Sequence, residues 1–164
     1  MRWDPHGERL APGALHDIDA LVHMAGENIA ARRWTKAVKE AVRSSRVEGT
    51  TLLAEALAAD AGPRVLVCAS ATGIFGDRGD EPLDEGSPAG AGFLAEVCRA
   101  WEAAADPARA AGVRVVHGRL GMILARDGGA LAKMLPVFRA GGGGRLGSGR
   151  QFVPYVTRAD AVSA

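Results

Sequence analysis

Residues 64–76 read RVLVCASATGIFG, an apolar run rich in valine that stops in small and hydroxylic residues and closes on glycine. A strand buried on both faces of a parallel sheet needs consecutive apolar side chains, and Val65, Leu66, Val67 and Cys68 supply them. Ligands of open α/β sheets sit just past the carboxyl ends of the strands, where Ser70, Thr72 and Gly73 fall. The stretch therefore predicts a buried strand that delivers a polar loop to a site.

Outward from it, the pattern alternates. Ala20 to Met24 (ALVHM) is a short apolar run closed by Ala25-Gly26 and reads as a strand ending in a tight turn. Thr35 can cap a helix whose Val38, Val42, Ser45, Leu52, Leu53, Ala56 and Leu57 recur at steps of three and four until Gly62-Pro63 ends it. After Arg64 to Ala69 as strand come Phe93 to Ala105 as helix, Val113 to Arg119 as strand and Ala130 to Arg139 as helix. Strands alternating with helices imply βαβ crossovers and a parallel sheet with helices on its faces, so the fold class is α/β. Two long loops interrupt the order: the acidic Asp77 to Gly92 and the glycine-rich Gly141 to Gly149. Gln151 to Ala164 is too short for a second domain and shows no clear terminating element.

At 164 residues, 48% hydrophobic and 24% charged, the chain can bury a core, which argues against disorder. A net charge of +1 leaves no electrostatic footprint for nucleic acid or an anionic membrane. The N-terminus lacks an apolar signal core, and no apolar run approaches the roughly 20 residues that span a bilayer. Cys68 and Cys98 form no CxxC pair and read as reduced core thiols, so a soluble cytoplasmic protein is expected.

The chemical motifs are mostly negative. No G-x-G-x-x-G opens the chain, and Gly144 to Gly149 (GRLGSG) follows a helix rather than a strand, the wrong context for a phosphate cradle. Ser70 in C-A-S-A-T is not a nucleophile elbow. His6, His16, His23 and His117 show no ligand spacing, and the last two read as core histidines with a satisfied ring nitrogen. Asp77, Asp80, Glu81, Asp84 and Glu85 do not follow a calcium-loop pattern and read as solvated. Arg46 stands apart from the other arginines, because its side of the helix can face the strand ends where a phosphate would lie.

The motifs Trp3-Asp4-Pro5, HMAGENIAARRW (23–34), SRVEGTTLLAEAL (45–57), SATGIFGDRGDE (70–81), FLAEVCRAWEAAA (93–105), RLGMILARDGGALAKMLPVFRAGGGGRLGSGRQ (119–151) and Asp160 run nearly end to end. Through them the chain resembles the extended short-chain dehydrogenase/reductases, within them the atypical epimerase-like subfamily of nucleoside-diphosphate-sugar epimerases. The resemblance implies a partial doubly wound, Rossmann-like parallel sheet lacking its first βαβ unit, with residues 1–164 as a partial NAD(P)-binding domain and 141–164 as the start of a substrate-side segment. On this reading the chain is truncated at both ends, and the absent strands would leave a sheet edge exposed.

The resemblance also implies NADP or NAD lying across the carboxyl ends of the strands. Met24, Ala25 and Gly26 would pass its adenosine side, Arg46 could reach it, Ser70 and Ala71 would flank the nicotinamide ribose, and Arg119, Gly121 and Ile123 would lie toward the nicotinamide end. Extended members place a Ser or Thr after this strand and Tyr-x-x-x-Lys on the next helix. Here Ala71, Phe93 and Val97 stand at those positions, and the nearest hydroxyl is Thr72, the candidate catalytic residue. The implied function is an epimerase or reductase acting on a small molecule, a nucleotide sugar being one candidate. The alternative is a non-catalytic, NAD(P)-dependent sensor or interaction module. Homo-oligomerisation is compatible with either.

Overall fold

The structure, a computed structural model, describes residues 10, 13–59, 65–145 and 147–164. Trp3-Asp4-Pro5, His6, the Gly62-Pro63 helix stop and Arg64 lie outside these residues. The first strand, β1 (Ala20–His23), leads to a 24-residue helix, α1 (Lys36–Ala59). Thr35 caps that helix, its Oγ1 accepting from the Val38 N–H at 3.2 Å. The spacing of Val42, Leu53 and Leu57 turns one face of α1 inward. The opening stretch forms β2 (Val65–Ala71) and then a single 3-10 turn, Thr72–Phe75.

The next helical segment is split. The helix expected to reach Ala105 ends as α2 (Phe93–Ala103), and a short α3 (Asp106–Ala110) follows. Pro107 has no N–H to continue a helix but is tolerated in a first turn, so it starts α3 rather than extending α2. The strand β3 (Arg114–Leu120) pairs parallel with β2, and β2 with β1, giving the sheet order β1-β2-β3.

A second, two-stranded parallel sheet joins β4 (Met122–Leu124) to β5 (Tyr155–Thr157), with α4 (Gly129–Arg139) between them and α5 (Arg158–Ser163) after. The segment after Gln151, expected to show no clear terminating element, holds a strand and a capped helix. The Thr157 Oγ1 accepts from the Asp160 N–H at 3.1 Å. Gly121 joins the two sheets, where the Met122 N–H donates to the Pro154 carbonyl at 2.8 Å. A Cβ on Gly121 would stand 2.7 Å from that carbonyl oxygen, so the crossing requires glycine.

The parallel register aligns Leu21, Leu66 and Val115, and then His23, Cys68 and His117. Side chains alternate along a strand, so these rows share one face. Leu66 and Cys68 pack there against Ala54 and Leu57 of α1 and against Ala105 and Ala108. Buried Trp101 of α2 donates from Nε1 to the buried Thr50 Oγ1 at 2.9 Å, locking α2 to α1. The opposite face carries Val22, Val67 and Val116 in one row, and there Val22 is 60% exposed.

Among the described residues β1 is an edge strand of this sheet, and an exposed apolar face beside such an edge favours association. The purified chain is expected to self-associate as concentration rises, and Val22→Lys to shift it toward monomer. Sedimentation equilibrium checks this, and equal association in the variant would place the contact elsewhere.

Candidate functional site

The carboxyl ends of β1, β2 and β3 lie side by side, because all three strands run parallel. Three elements contribute to a polar network there. Ser70, two residues before β2 gives way to the 3-10 turn, is 4% exposed and donates to Glu102 Oε1 at 2.6 Å. Arg119 of β3 grips the same carboxylate with both arms, Nε to Oε1 at 2.9 Å and Nη2 to Oε2 at 3.0 Å. Its remaining arm donates from Nη1 to the Glu85 carbonyl at 3.1 Å, and its guanidinium lies 5.4 Å from the Phe75 ring centre.

Burial alone would push the Glu102 carboxyl up, but hydrogen bonds from Arg119 and Ser70 outweigh it and hold it below the usual range. The same contact with Glu102 raises Arg119.

Glu102 was not singled out in the sequence. It lies in a helical run of alanines, and its partners come from positions 32 residues before and 17 residues after it.

The acidic loop is not merely solvated. The Gly90 N–H donates to the Ile74 carbonyl at 2.9 Å and closes the loop's base. Arg78 donates to the Pro88 carbonyl, Arg99 to the Gly90 carbonyl and Arg119 to that of Glu85. The carbonyls of Gly90 and Glu85 tie the loop to α2 and β3, while inside it Arg78 pairs with both oxygens of the Glu81 carboxylate at 2.8 and 2.6 Å.

The turn after β1 is stitched to α1. The Glu27 N–H donates to Ser45 Oγ at 3.0 Å, and Arg46 Nη1 donates to the carbonyls of Glu27 at 3.1 Å and Val42 at 3.0 Å. The Arg46 guanidinium lies 5.1 Å from the Trp101 ring centre, and a Cβ on Gly26 would come within 3.2 Å of its Cζ. Arg46 thus supports the turn from beneath. Met24 and Gly26 are exposed, and Ala25 is half-buried.

Ala71 is half-buried at the end of β2, and Thr72 is half-buried at the start of the 3-10 turn. Gly121 lies between the two sheets, and Ile123, in β4, pairs with Val156. Met24, Ala25, Gly26, Ser70, Ala71, Thr72 and Arg119 therefore share the carboxyl ends of the main sheet. Gly121 and Ile123 lie beyond it.

The two strand histidines sit deeper. His23 is buried, and burial pushes its pKa down. Burial also lowers His117, with Glu102 opposing and Arg109 and Arg119 adding to the fall. The His117 Nε2 lies 3.2 Å from Arg109 Nη2, which gives the ring its one partnered nitrogen, whereas its Nδ1 is buried without a partner and the residue as a whole is half-buried. Burial disfavours the charged form of both rings, so the stability they permit is full above the unfolded value near 6.5 and is lost as pH falls below it. The melting temperature is expected to drop between pH 7.5 and pH 5.5, and to drop less in His117→Gln; an equal drop would exclude His117 as a source.

Burial raises the Cys68 thiol to about 11, and Cys68 and Cys98 are both free and buried. Among the described residues no cluster of His, Cys, Asp and Glu is arranged to hold a metal ion, and no helix is long and apolar enough to cross a membrane.

The profile of the NAD dependent epimerase/dehydratase family matches residues 10–164. The epimerase family protein Mb2239 of Mycobacterium bovis is 45% identical over 164 residues, covering 100% of this chain and 54% of that protein. Human epimerase family protein SDR39U1 is 39% identical over 162 residues, 95% of this chain and 53% of that one. Among solved structures, the nucleoside-diphosphate sugar epimerase from Corynebacterium glutamicum superposes with a TM-score of 0.84 at 41% identity, over 97% of this chain and 33% of the other. Human SDR39U1 isoform 2 with NADPH superposes with a TM-score of 0.77 at 37% identity, over 85% and 48%. The chain spans about half the length of the curated relatives it matches. With its parallel sheet and its polar network at the strand ends, the chain belongs to the NAD dependent epimerase/dehydratase family.

Proposed function

We propose that the chain binds NADP or NAD across the carboxyl ends of β1, β2 and β3 and serves an epimerase or reductase of the extended short-chain dehydrogenase type. The observation that carries this is the convergence there of a small-residue turn, Ala25-Gly26, with the Ala69-Ser70-Ala71 strand end and Arg119. NADPH in the human relative's structure favours the same reading.

The fit is to the rings and riboses of the cofactor. Ala25, Gly26 and Ala71 project no long side chain that would obstruct a flat ring. A glycine cradle for the pyrophosphate is not found among the described residues after β1, where the sequence is Met24-Ala25-Gly26-Glu27. When bound, the nicotinamide supplies hydride transfer.

The residues of this chain then act around it. Arg46 and Ser45 hold the turn, Glu102 fixes Ser70 and Arg119, and Arg119 ties the acidic loop to β3 through the Glu85 carbonyl. Thr72 is the hydroxyl proposed to exchange a proton. Residues 141–164 would begin the substrate-side segment.

One observation favours a second reading, a cofactor-dependent sensor without turnover. Phe93 and Val97 stand at the Tyr and Lys positions, and Val97 is buried at 3% exposure. Assays of NADPH oxidation with candidate carbonyl substrates separate the two. Turnover abolished by Thr72→Val with cofactor binding intact supports the enzyme, and binding without turnover in the parent chain supports the sensor.

A further inference from the structure

A second constellation at the same end of the sheet remains unused by this reading. Trp34, in the loop between β1 and α1, meets the ring of Phe93, the first residue of α2, edge to face, with centres 5.6 Å apart at 74°. Lys39, in the first turns of α1, places its Nζ 5.1 Å from the Phe93 ring centre. Trp34 is 42% exposed, and its Nε1 is already spent on the Ile29 carbonyl at 2.8 Å, which fixes the indole. Ile29 and Leu94 beside them are exposed apolar residues, and Leu94 reaches toward Gly73, next to Thr72.

The polar inventory of this surface is short. A polyhydroxylated ring needs several donors and acceptors around it, whereas here the indole N–H is occupied and the ammonium of Lys39 is the one polar group these side chains leave on offer. Among the described residues no carboxylate lies within ion-pair distance of Lys39. An indole fixed by its hydrogen bond, with an aromatic ring and apolar side chains around it and a cation that makes no ion pair, suits a ligand with an apolar ring and one negative charge.

We infer that Trp34, Phe93 and Lys39 form a subsite for an apolar, ring-bearing organic anion, a carboxylate or sulfonate, as the substrate class of the proposed enzyme. This rests on the reading that a nicotinamide lies over the neighbouring strand ends. Trp34 supplies the edge against which the ring packs, and Lys39 neutralises the charge.

The test uses the full chain and three probes: 2-naphthoate, its neutral counterpart 2-naphthylmethanol, and UDP-glucose. The readouts are affinity and the Trp34 indole N–H signal in 15N NMR, assigned with Trp34→Phe. The expected result is saturable binding of 2-naphthoate with a shifted Trp34 signal. Lys39→Met should weaken 2-naphthoate about fivefold, the size of an exposed ion pair, and leave 2-naphthylmethanol unchanged. Trp34→Ala should weaken both aromatic probes about tenfold.

The inference is overturned if 2-naphthoate does not saturate, if Lys39→Met weakens charged and neutral probes alike, or if only UDP-glucose moves the Trp34 signal. NADPH titrated in the same samples keeps the two readings apart. Naphthoate binding without NADPH binding upholds the subsite and removes the cofactor reading, and NADPH binding without naphthoate does the reverse.

Discussion

Gly90→Ala is expected to destabilise the chain by about 3 kcal/mol, the upper end of overpacking effects, and to lower its melting temperature by roughly 6–12 °C. The new Cβ would lie 1.9 Å from the Phe75 carbonyl oxygen and 2.5 Å from its carbon. Both are backbone atoms that cannot rotate away, so the loop base must open. Opening breaks the hydrogen bond from the Gly90 N–H to Ile74, and with it the closure of the acidic loop. Gly86→Ala in the same loop is the control, because its Cβ would meet only Asp84 Oδ1 at an ordinary 3.5 Å. Thermal unfolding followed by circular dichroism measures both. Equal melting temperatures for the two variants would show that the loop base is not clamped as described.

Glu102→Ala is expected to cost about 2–3 kcal/mol, because it leaves a half-buried guanidinium and a buried hydroxyl without their acceptor. Ser70→Ala removes a single hydrogen bond and should cost about 1 kcal/mol. Combined, the two changes should be less than additive, since both act through one carboxylate. Stability supplied by Glu102 is present above its unfolded value near 4.5 and is lost as pH falls through the depressed folded value. In Glu102→Ala that acid limb of the stability curve should shrink. Full additivity, or an acid limb identical to the parent, would contradict a shared network. The Arg158–Asp127 pair is a useful contrast, since both partners are mostly exposed and its loss should leave the melting temperature unchanged.

How far the sequence reaches can be traced residue by residue. The run Val65 to Cys68 and the long periodicity of α1 announced β2 and its crossover, because an unbroken apolar run and a helical stripe leave strong patterns, although Leu66 and Cys68 are fully buried and Val65 and Val67 only half-buried, so the expected burial on both faces is met on one. β4 and β5 escaped, since three residues each cannot show a period and their paired residues lie 33 positions apart in sequence. The break before α3 turned on Asp106-Pro107, a local signal overridden in the reading by the alanine run around it.

At the site, the position of Ser70, Ala71 and Thr72 past the strand was legible from the abrupt change of residue type. The bond from Ser70 to Glu102 was not, because long-range pairing leaves no trace in spacing. Arg46 was noticed for its place on α1, yet its hydrogen bonds to two carbonyls and its stacking on Trp101 depend on how α1, α2 and the turn meet. For Gly121 the sequence pointed to a ligand, and the structure adds a steric reason in the Pro154 carbonyl.

The most direct measurement of the central claim is a titration of the 15N-labelled chain with NADPH and, separately, NADH, followed by backbone amide shifts. The expected result is saturation with at least one of them and shifts concentrated at Ala25, Gly26, Ser70, Ala71, Thr72 and Arg119, at the carboxyl ends of β1, β2 and β3. Absence of saturation with both, or saturation with shifts at the opposite ends of the strands, would contradict it.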